Sequence, residues 1–372
     1  MEFGLFIQTP VFKHKREADP DYEHRSLMDD IEVAIAADKA GFKYVWTSEH
    51  HFLDEYSHLS ANSVVLGYLA HATERIHLGS GIFNPLPQVI HPAKLAETVA
   101  MLDHLSGGRF EFGTGRGAGS HEILGFLPGM TDLTGTREIW EDVIGEFSKM
   151  WLQDTYEGYQ GKYWSLPPRK VLPKPYGKAH PAMWYAAGNV SGYEMAARKG
   201  LGVLGFSVGT LQELDPVLKS YKRGIAEAEP VGAFVNDNIV VVAVAYVDED
   251  PRKAVATACL PDAGYFISNV YRYHDTFPHP EGMPYWPEVV PAMTPEEVPV
   301  RQEMGFIIGD PDHALEQALR WEAAGCDQLV FGTGAVPKEN TLEMIRLMGA
   351  HVIPKVDRDP VHRTTRMRDA AR

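Results

Sequence analysis

Short apolar segments alternate with segments of helical periodicity along most of this chain, and few residues separate one from the next. The apolar segments are rich in β-branched and aromatic residues, as buried strands are. Such alternation is typical of a parallel sheet with helical crossovers. The sequence predicts strands at residues 3–8, from 44 onward, and at 76–82, 109–113, 183–187, 203–206, 238–247 and 327–332, with the clearest helices at 62–72 and 92–105. Eight such units favour a TIM (β/α)8 barrel, an α/β fold, over an open sheet.

Several regions interrupt the alternation. Residues 14–24 are polar and are expected to form a loop, and residues 154–181 are rich in Tyr, Gly, Lys and Pro. Residues 260–303 are the longest predicted irregular stretch, and their aromatic content argues against disorder, so we expect a lid or a partner surface there. We predict one barrel domain over residues 1–354, with insertions at 154–181 and 260–303, and a flexible tail at 355–372.

The charge balance and the cysteine count exclude several classes of protein. The 372 residues carry a net charge of -15 at pH 7, which argues against nucleic acid or an anionic membrane as partner, because such surfaces attract basic proteins. The two cysteines, Cys259 and Cys326, cannot make a disulfide framework. No apolar run approaches the ~20 residues of a membrane-spanning helix, and the first residues lack the basic segment of a signal peptide. We expect a cytoplasmic protein.

The second predicted strand runs directly into Glu49, His50 and His51. In a TIM barrel the active site lies at the carboxyl ends of the strands, so this ending marks a candidate site. Consecutive strand residues face opposite sides, which predicts that one imidazole points into the barrel mouth while the other supports it. A neutral imidazole there would serve as an acid or base near neutral pH. The alternatives are a hydrogen-bonded structural histidine, and a metal site that also uses Asp54 and His58 but lacks the His-Glu-x-x-His spacing.

A glycine-rich loop follows the fourth predicted strand. Its residues are Gly113, Gly115, Arg116, Gly117 and Gly119. Backbone without side chains approaches a ligand closely, and a guanidinium binds phosphate through paired hydrogen bonds, although such glycines also make simple turns. The pattern up to Ala118 superficially matches a dinucleotide fingerprint. That fingerprint requires a helix that begins at once, and residues 120–135 are expected to intervene instead.

A second segment of small residues follows the fifth predicted strand and precedes a helix. It contains Gly188, Asn189, Ser191 and Gly192. Residues of this kind either cap the helix or present N–H groups to an anion. Together with Arg116, the segment predicts one phosphate held between two neighbouring loops. There is no Walker loop in the sequence, so nucleotide hydrolysis has no support.

These residues resemble the bacterial luciferase-like flavin-dependent monooxygenases. The resemblance is carried by Trp46 with Glu49-His50-His51-Phe52, by His91-Pro92, and by the run Leu102-Asp103-x-x-Ser106-x-Gly108-Arg109-Phe110-x-Phe112-Gly113-x-x-Arg116-Gly117. It covers residues 1 to about 250 and resumes near 309–354. The first and last of these motifs together, in register with the predicted barrel, are fairly specific for the family.

The resemblance implies a particular chemistry. Members bind reduced FMN (FMNH2), which a separate NAD(P)H-dependent flavin reductase supplies, and O2 is the co-substrate. O2 adds at flavin C4a, and the resulting C4a-peroxyflavin oxygenates a small organic substrate. The family also implies a TIM barrel that is usually dimeric, so a homodimer is expected.

The resemblance also implies roles for individual residues. His50 matches the catalytic histidine, with His51 in support, and Arg116 matches the residue that binds the FMN phosphate. Gly81 and Ile82 match a strand end that lies against the isoalloxazine, where the family often has a non-proline cis peptide. The other implied cofactor-binding positions are Gly115, Gly117, Gly188, Asn189, Ser191 and Gly192.

The chain departs from luciferase itself at two positions, because Gly115 and Gly188 stand where luciferase has a cysteine and a glutamate. A glycine at position 115 is expected to leave room near flavin C4a, which favours a general monooxygenase over a light emitter. The insertion at 260–303 is expected to govern substrate choice.

Three alternative functions remain. The nearest is an F420-dependent oxidoreductase on the same barrel, whose members usually carry Asp-His where this chain has Glu-His-His. The second is a flavoprotein subunit without activity, against which the retained His50 and Arg116 argue. The third is a flavin-free binding barrel, which leaves Arg116 and its glycines unexplained.

Overall fold

Eight parallel strands pair edge to edge, and the last pairs with the first, which closes the sheet into a barrel. The computed structural model describes residues 1–117, 119–177, 179–206 and 209–371. The strands are β1 (Glu2–Ile7), β2 (Tyr44–Thr47), β3 (His77–Ser80), β4 (Phe110–Thr114), β5 (Tyr159–Gln160), β6 (Ser165–Leu166), β7 (Ala182–Ala186), β8 (Gly202–Gly205), β9 (Ile239–Ala243), β10 (Ala245–Val247), β11 (Ile307–Gly309) and β12 (Gln328–Gly332). The order around the barrel is β1-β12-β9-β8-β7-β4-β3-β2. The predicted TIM barrel is confirmed.

The helices lie mostly between consecutive barrel strands. They are α1 (Lys13–Ala18), α2 (Tyr22–Ala40), α3 (Asn62–Ala72), α4 (Pro92–Leu105), α5 (Ser120–Phe126), α6 (Thr136–Ile144), α7 (Glu146–Leu152), α8 (Val190–Arg198), α9 (Leu211–Ala226), α10 (Pro251–Ala258), α11 (Pro261–Tyr273), α12 (Val298–Glu303), α13 (Pro311–Ala323), α14 (Lys338–Leu347), α15 (Ile353–Val356) and α16 (Arg363–Ala370), with a π-helical turn at Met348–Val352. Within the described part of the chain, every helix is too short or too polar to cross a membrane.

The predictions for regular elements hold where burial is periodic. Helices α3 and α4 have the predicted bounds. The seventh predicted strand, at 238–247, is instead two strands, because the chain leaves the barrel after β9. The second of these, β10, pairs with β11 outside the barrel, with Ala245 opposite Ile307.

Four stretches that we expected to be irregular contain helices. Residues 14–24 hold most of α1 and the start of α2, residues 120–135 begin with α5, residues 260–303 contain α11 and α12, and the expected tail at 355–372 contains α16. Most of these helices are short and depend on contacts that local sequence does not reveal, and α1 has no buried residue at all. The prediction that residues 120–135 separate the glycine-rich loop from the next helix is therefore wrong. Ala118 itself lies outside the described residues.

The barrel interior is filled by aromatic side chains. Trp46 and Trp184 pack edge to face with their ring centroids 5.2 Å apart, and both are fully buried. A Cβ on Gly79 would lie 2.1 Å from the Trp46 ring, so only glycine at that position admits the indole. This packing makes the barrel a solid core, and any ligand must sit at one of its ends.

The amino-terminal end of the barrel is closed by α16. Arg368 is only 5% exposed, and its guanidinium lies 2.7 Å from the carboxylate of Asp103 on α4, which is fully buried. Thr364 donates a hydrogen bond of 2.5 Å to Glu111 on β4. The residues expected to form a flexible tail thus include buried side chains that close the end of the barrel opposite the mouth.

We expect Arg368→Ala to lower the free energy of unfolding by about 3–5 kcal/mol, because it leaves the buried Asp103 carboxylate without its partner. The control is Arg366→Ala, which removes an exposed ion pair with Asp359 on the same segment and should change stability by less than about 1 kcal/mol. Urea denaturation measures both. Equal, small losses would show that the buried pair does not hold α16 in place.

Candidate active site

The open end of the barrel has an apolar surface. Its side chains, which we call the apolar floor, pack on the interior aromatic cluster at the carboxyl ends of five strands and are Phe6, Ile82, Ala186, Phe206 and Val242. The rings of Phe6 and Phe206 stack with centroids 4.3 Å apart. All but Phe6 are only partly buried, so the floor offers a ligand a flat apolar contact.

The Gly81–Ile82 peptide at the end of β3 is cis, as the family resemblance implied. A Cβ on Gly81 would lie 3.2 Å from both Phe6 and Phe206, so the backbone here runs directly against the stacked rings. A Cβ on Gly115 would lie 3.0 Å from Ile82. The room expected at position 115 is therefore occupied by the side chain of Ile82.

His50 and His51 lie beyond the end of β2, in a loop, and the argument from strand alternation does not apply to them. A residue on α5 organises this loop instead. One oxygen of Glu122 lies 3.1 Å from Nδ1 of His50, and the other accepts a hydrogen bond of 3.0 Å from the backbone N–H of His51. The ring of His51 turns toward Glu49, with Nε2 3.7 Å from the carboxylate. Of the two histidines, His50 contacts Glu122 through its imidazole, whereas His51 does so through its backbone.

Two charge effects follow from these contacts. Burial opposes ionisation of Glu122, but the adjacent His50 and His51 outweigh it, so the pKa of the Glu122 carboxyl is lowered. The neighbouring Glu49 raises the pKa of His51. Glu122 is thus an ionised, almost fully buried acceptor beside the His50 imidazole.

Aromatic side chains enclose His50. Its ring packs edge-on against Tyr56 at 5.1 Å and against His274 at 5.6 Å between centroids. The hydroxyl of Tyr56 accepts a hydrogen bond from Gln8. Burial lowers the pKa of His274 to about 4, so that second imidazole is neutral at neutral pH. His50 keeps a partly exposed edge in otherwise packed surroundings.

Arg116 lies half-buried in the glycine-rich loop after β4. It donates 2.9 and 3.3 Å hydrogen bonds to the Thr136 hydroxyl and the Leu133 carbonyl. Among the described residues, no carboxylate lies within 4.0 Å of its guanidinium. Neutral acceptors orient this cation and leave its charge uncompensated.

The segment after β7 caps a helix, which was one of the two interpretations of its small residues. The Asn189 side chain accepts hydrogen bonds from the Gly192 backbone at 3.0 Å and from the Ser191 hydroxyl at 2.9 Å. In the described part of the structure, the backbone N–H groups of Val190 and Ser191 have no acceptor, and both residues are exposed. The positive end of α8 is therefore open to solvent next to Gly188.

The two loops lie side by side because β4 and β7 pair in the barrel, with Thr114 opposite Tyr185. A Cβ on Gly115 would lie 3.5 Å from Cβ of Ala186. The structure thus brings the start of the Arg116 loop next to the strand that leads into Gly188.

Residues 274–277 cross this end of the barrel. His274 packs on His50, and Phe277 lies 3.7 Å from where a Cβ of Gly188 would be. The rings of His274 and Phe277 stack at 5.0 Å. Part of the insertion at 260–303 therefore covers the mouth between the histidine loop and the α8 loop, as a lid would.

Sequence reasoning missed Glu122, Tyr56 and His274. A signal for Glu122 existed, because a small polar residue, Ser120, followed by an acid is typical of the first turn of a helix. No local pattern marks Tyr56 or His274. Of the residues considered for a metal site, His58 binds Glu23 and the Asp54 carbonyl instead, and no metal-like cluster of His, Cys, Asp or Glu occurs in the residues the structure covers.

Comparison with known proteins decides the family. The sequence model of the luciferase-like monooxygenases matches residues 1–328. The chain belongs to this family. A curated relative from Acinetobacter baylyi, the oxygenase component of a flavin-dependent trigonelline monooxygenase, is 25% identical over 96% of this chain and 98% of its own. The luciferase-like monooxygenases are flavin-dependent enzymes, and the chain is one of them.

Solved structures share the luciferase-like barrel. The oxygenating constituent of 3,6-diketocamphane monooxygenase from Pseudomonas putida, solved with FMN, is 20% identical and superposes with a TM-score of 0.75 over 96% of this chain and 99% of its own. An F420-dependent secondary alcohol dehydrogenase is 17% identical, with a TM-score of 0.69 over 95% of this chain and 98% of its own. At these identities the likeness concerns the fold, which FMN and F420 enzymes share.

Proposed function

We propose that the chain is the oxygenase component of a two-component monooxygenase that binds reduced FMN at the barrel mouth and uses O2 to oxygenate a small organic substrate. The observation that carries this proposal is Arg116, a half-buried cation without a carboxylate partner among the described residues. The preceding residue, Gly115, lies against Ile82 of the apolar floor and against Ala186, at the end of the strand that leads to α8. An anion joined to a flat apolar ring fits such a surface, and FMN has both parts.

The phosphate site is built from charge and from backbone. The Arg116 guanidinium retains donors for an oxyanion, and charge-assisted hydrogen bonds of this kind are stronger than neutral ones. The amides of Val190 and Ser191, which have no acceptor among the described residues, add the partial positive charge of a helix N-terminus. In this proposal Gly115, Gly117 and Gly188 allow the backbone to approach the cofactor.

The ring site uses the apolar floor. Ile82 and Ala186 are partly exposed at the ends of β3 and β7, the strands on either side of β4, and Phe206 stacks on Phe6. Flavin supplies the redox chemistry and the activation of O2. The protein contributes a dry surface under residues 274–277 and keeps water from the reacting atoms.

His50 is the proposed catalytic acid–base group. Its imidazole is partly exposed at the mouth and is bonded to the Glu122 carboxylate through Nδ1. The remaining nitrogen, Nε2, would exchange a proton with the oxygenated substrate or the flavin. His51 would support it through the backbone, since its ring lies against Glu49.

A separate NAD(P)H-dependent flavin reductase is the proposed source of reduced FMN. The trigonelline enzyme of Acinetobacter baylyi is named as an oxygenase component, which supports a two-component arrangement here. The competing function is hydride transfer with F420, whose enzymes share the barrel. The full-length relative named as a monooxygenase favours oxygenation over that alternative.

We also propose a homodimer formed through α3 and α4. Val64 and Tyr68 on α3 are 72% and 54% exposed, and Met101 and Leu105 on α4 are 49% and 56% exposed. Helix α3 contains no Asp, Glu, Lys or Arg. Each chain carries a net charge of -15, so an apolar face with few like charges is the most favourable place for two copies to meet.

Tyr68→Glu should convert the dimer to a monomer, because a two-fold contact brings each new carboxylate into the apolar face of both copies. Sedimentation equilibrium should give about twice the chain mass of 41.4 kDa for the wild type and the chain mass for the variant. Leu319→Glu, on the exposed side of α13, is the control and should stay dimeric. A monomeric wild type would overturn this part of the proposal.

Arg116→Ala should weaken the binding of reduced FMN by ~1.5–3 kcal/mol, or about 10- to 150-fold, the scale of a charge-assisted hydrogen bond. Anaerobic fluorescence titration measures the dissociation constant. The control, Arg137→Ala, removes a nearby exposed arginine that pairs with Glu141. The affinity of this variant for reduced FMN should stay within twofold of wild type. Unchanged affinity in Arg116→Ala would eliminate the proposed phosphate site.

His50→Ala should retain reduced FMN but lose about 100-fold or more of product formation, the lower range of general acid–base catalysis. Incorporation of isotopically labelled O2 into a substrate identified from a compound library measures the product. His24→Ala, an exposed imidazole on α2, should match wild type. Turnover that survives in His50→Ala would make this histidine a structural residue.

A further inference from the structure

Glu122 controls which nitrogen of His50 carries a proton. An ionised carboxylate only accepts hydrogen bonds, so a neutral His50 that bonds to it at 3.1 Å must place its proton on Nδ1. Nε2 is then left as the bare nitrogen that faces other partners. The same carboxylate fixes the backbone of His51 at 3.0 Å. Glu122 therefore constrains both the tautomer and the position of the ring.

The helix that carries Glu122 is too short to be stable alone. Helix α5 runs only from Ser120 to Phe126, and isolated helices below about 12–15 residues are marginal in water. Its position therefore depends on tertiary contacts. One of these is local to the histidine loop, where His121 Nε2 lies 3.1 Å from the carbonyl of Phe52.

Ile123 packs into the main core, and further contacts come from the segment that covers the mouth. One oxygen of Asp275 accepts a 3.0 Å hydrogen bond from the backbone N–H of Ser120, and the other accepts from the Ser120 hydroxyl. A Cβ on Gly119 would lie 2.2 Å from the carbonyl of Tyr273, so the two backbones touch just before α5 begins. The carboxylate also suits the positive end of the helix.

The covering segment touches His50 directly as well. His274, the neighbour of Asp275, packs on the His50 ring, and its own Nδ1 lies 2.9 Å from the carbonyl of Val270. Nδ1 of His274 must therefore carry a proton in the neutral ring, which fixes that ring in turn. The cover thus contacts His50 from one side and the helix of Glu122 from the other.

We propose that Glu122 is a positioning residue that sets the tautomer and orientation of His50, and that Asp275 holds Glu122 in reach by capping α5, so that the imidazole is aligned only while residues 274–277 cover the mouth. The inference rests on the proposed function, because it gives His50 its role. It links closure over the ligand to proton transfer at Nε2, and an uncovered site would lack an aligned imidazole.

The first test uses Glu122→Gln, which keeps the size of the side chain. Its amide presents an N–H donor as well as an oxygen, and with the oxygen kept on the His51 backbone the donor faces His50 Nδ1. Long-range 1H–15N spectra of histidine-labelled protein report the tautomer of His50. We expect the Nδ1–H form in the wild type and a predominant Nε2–H form in Glu122→Gln. The same tautomer in both proteins would overturn the positioning role.

The second test compares two carboxylates of the insertion at 260–303. Asp275→Ala removes the cap of α5, whereas Glu288→Ala removes an exposed carboxylate that makes no side-chain contact within the described residues. We expect amide exchange across residues 120–126 to accelerate at least tenfold in Asp275→Ala only, with the His50 signals split between tautomers. Equal exchange in the two variants would overturn the link between cover and imidazole.

The affinity for reduced FMN separates this inference from the proposed function. All three variants leave Arg116 and α8 intact, so their affinity should stay within twofold of wild type. Absence of FMN binding in the wild type would contradict the proposed function. The effect of Glu122 on the tautomer of His50 would still be decided by the spectra. Normal binding with an unchanged tautomer would overturn only the role of Glu122.

Discussion

The pairing of β1 with β12 is the constraint on which the rest of the molecule depends. Phe3 lies opposite Leu329 and Phe6 opposite Gly332, and this contact joins the two ends of the sheet. Because all eight strands are parallel, closure brings their carboxyl ends to one mouth. His50 and Glu122 are 72 positions apart in sequence, and they meet because loops from different strands share that mouth.

The opposite end of the barrel contains a cluster of buried polar side chains. Glu111 lies 2.7 Å from Nδ1 of His77 and also accepts from Trp184 and Thr364. Burial raises the pKa of Glu111 to about 8 and lowers the pKa of His77 to about 3, so both groups favour their neutral forms at neutral pH. This end is closed by α16 and has a structural character, which leaves the mouth as the place for chemistry.

The sequence predicted what local burial determines. Strands such as the one from Tyr44 and helices α3 and α4 are set by periodic apolar residues, and the structure confirms them. Helix α16 was missed because the Arg368–Asp103 pair that holds it joins residues 265 positions apart. Strand alternation predicted that one of His50 and His51 points into the mouth, and the family resemblance selected His50, whereas the structure places both in a loop. Its actual support, Glu122, lies on a short helix whose start has a local signal, but nothing local indicates the contact with His50.

The central claim is that reduced FMN occupies the mouth and reacts there with O2. Anaerobic titration of the wild type with reduced FMN and, separately, with reduced F420, followed by admission of air, tests it most directly. The account predicts saturable binding of reduced FMN, little binding of reduced F420, and consumption of O2 by the bound flavin once air enters. Saturable binding of reduced F420 alone, without consumption of O2, would contradict it.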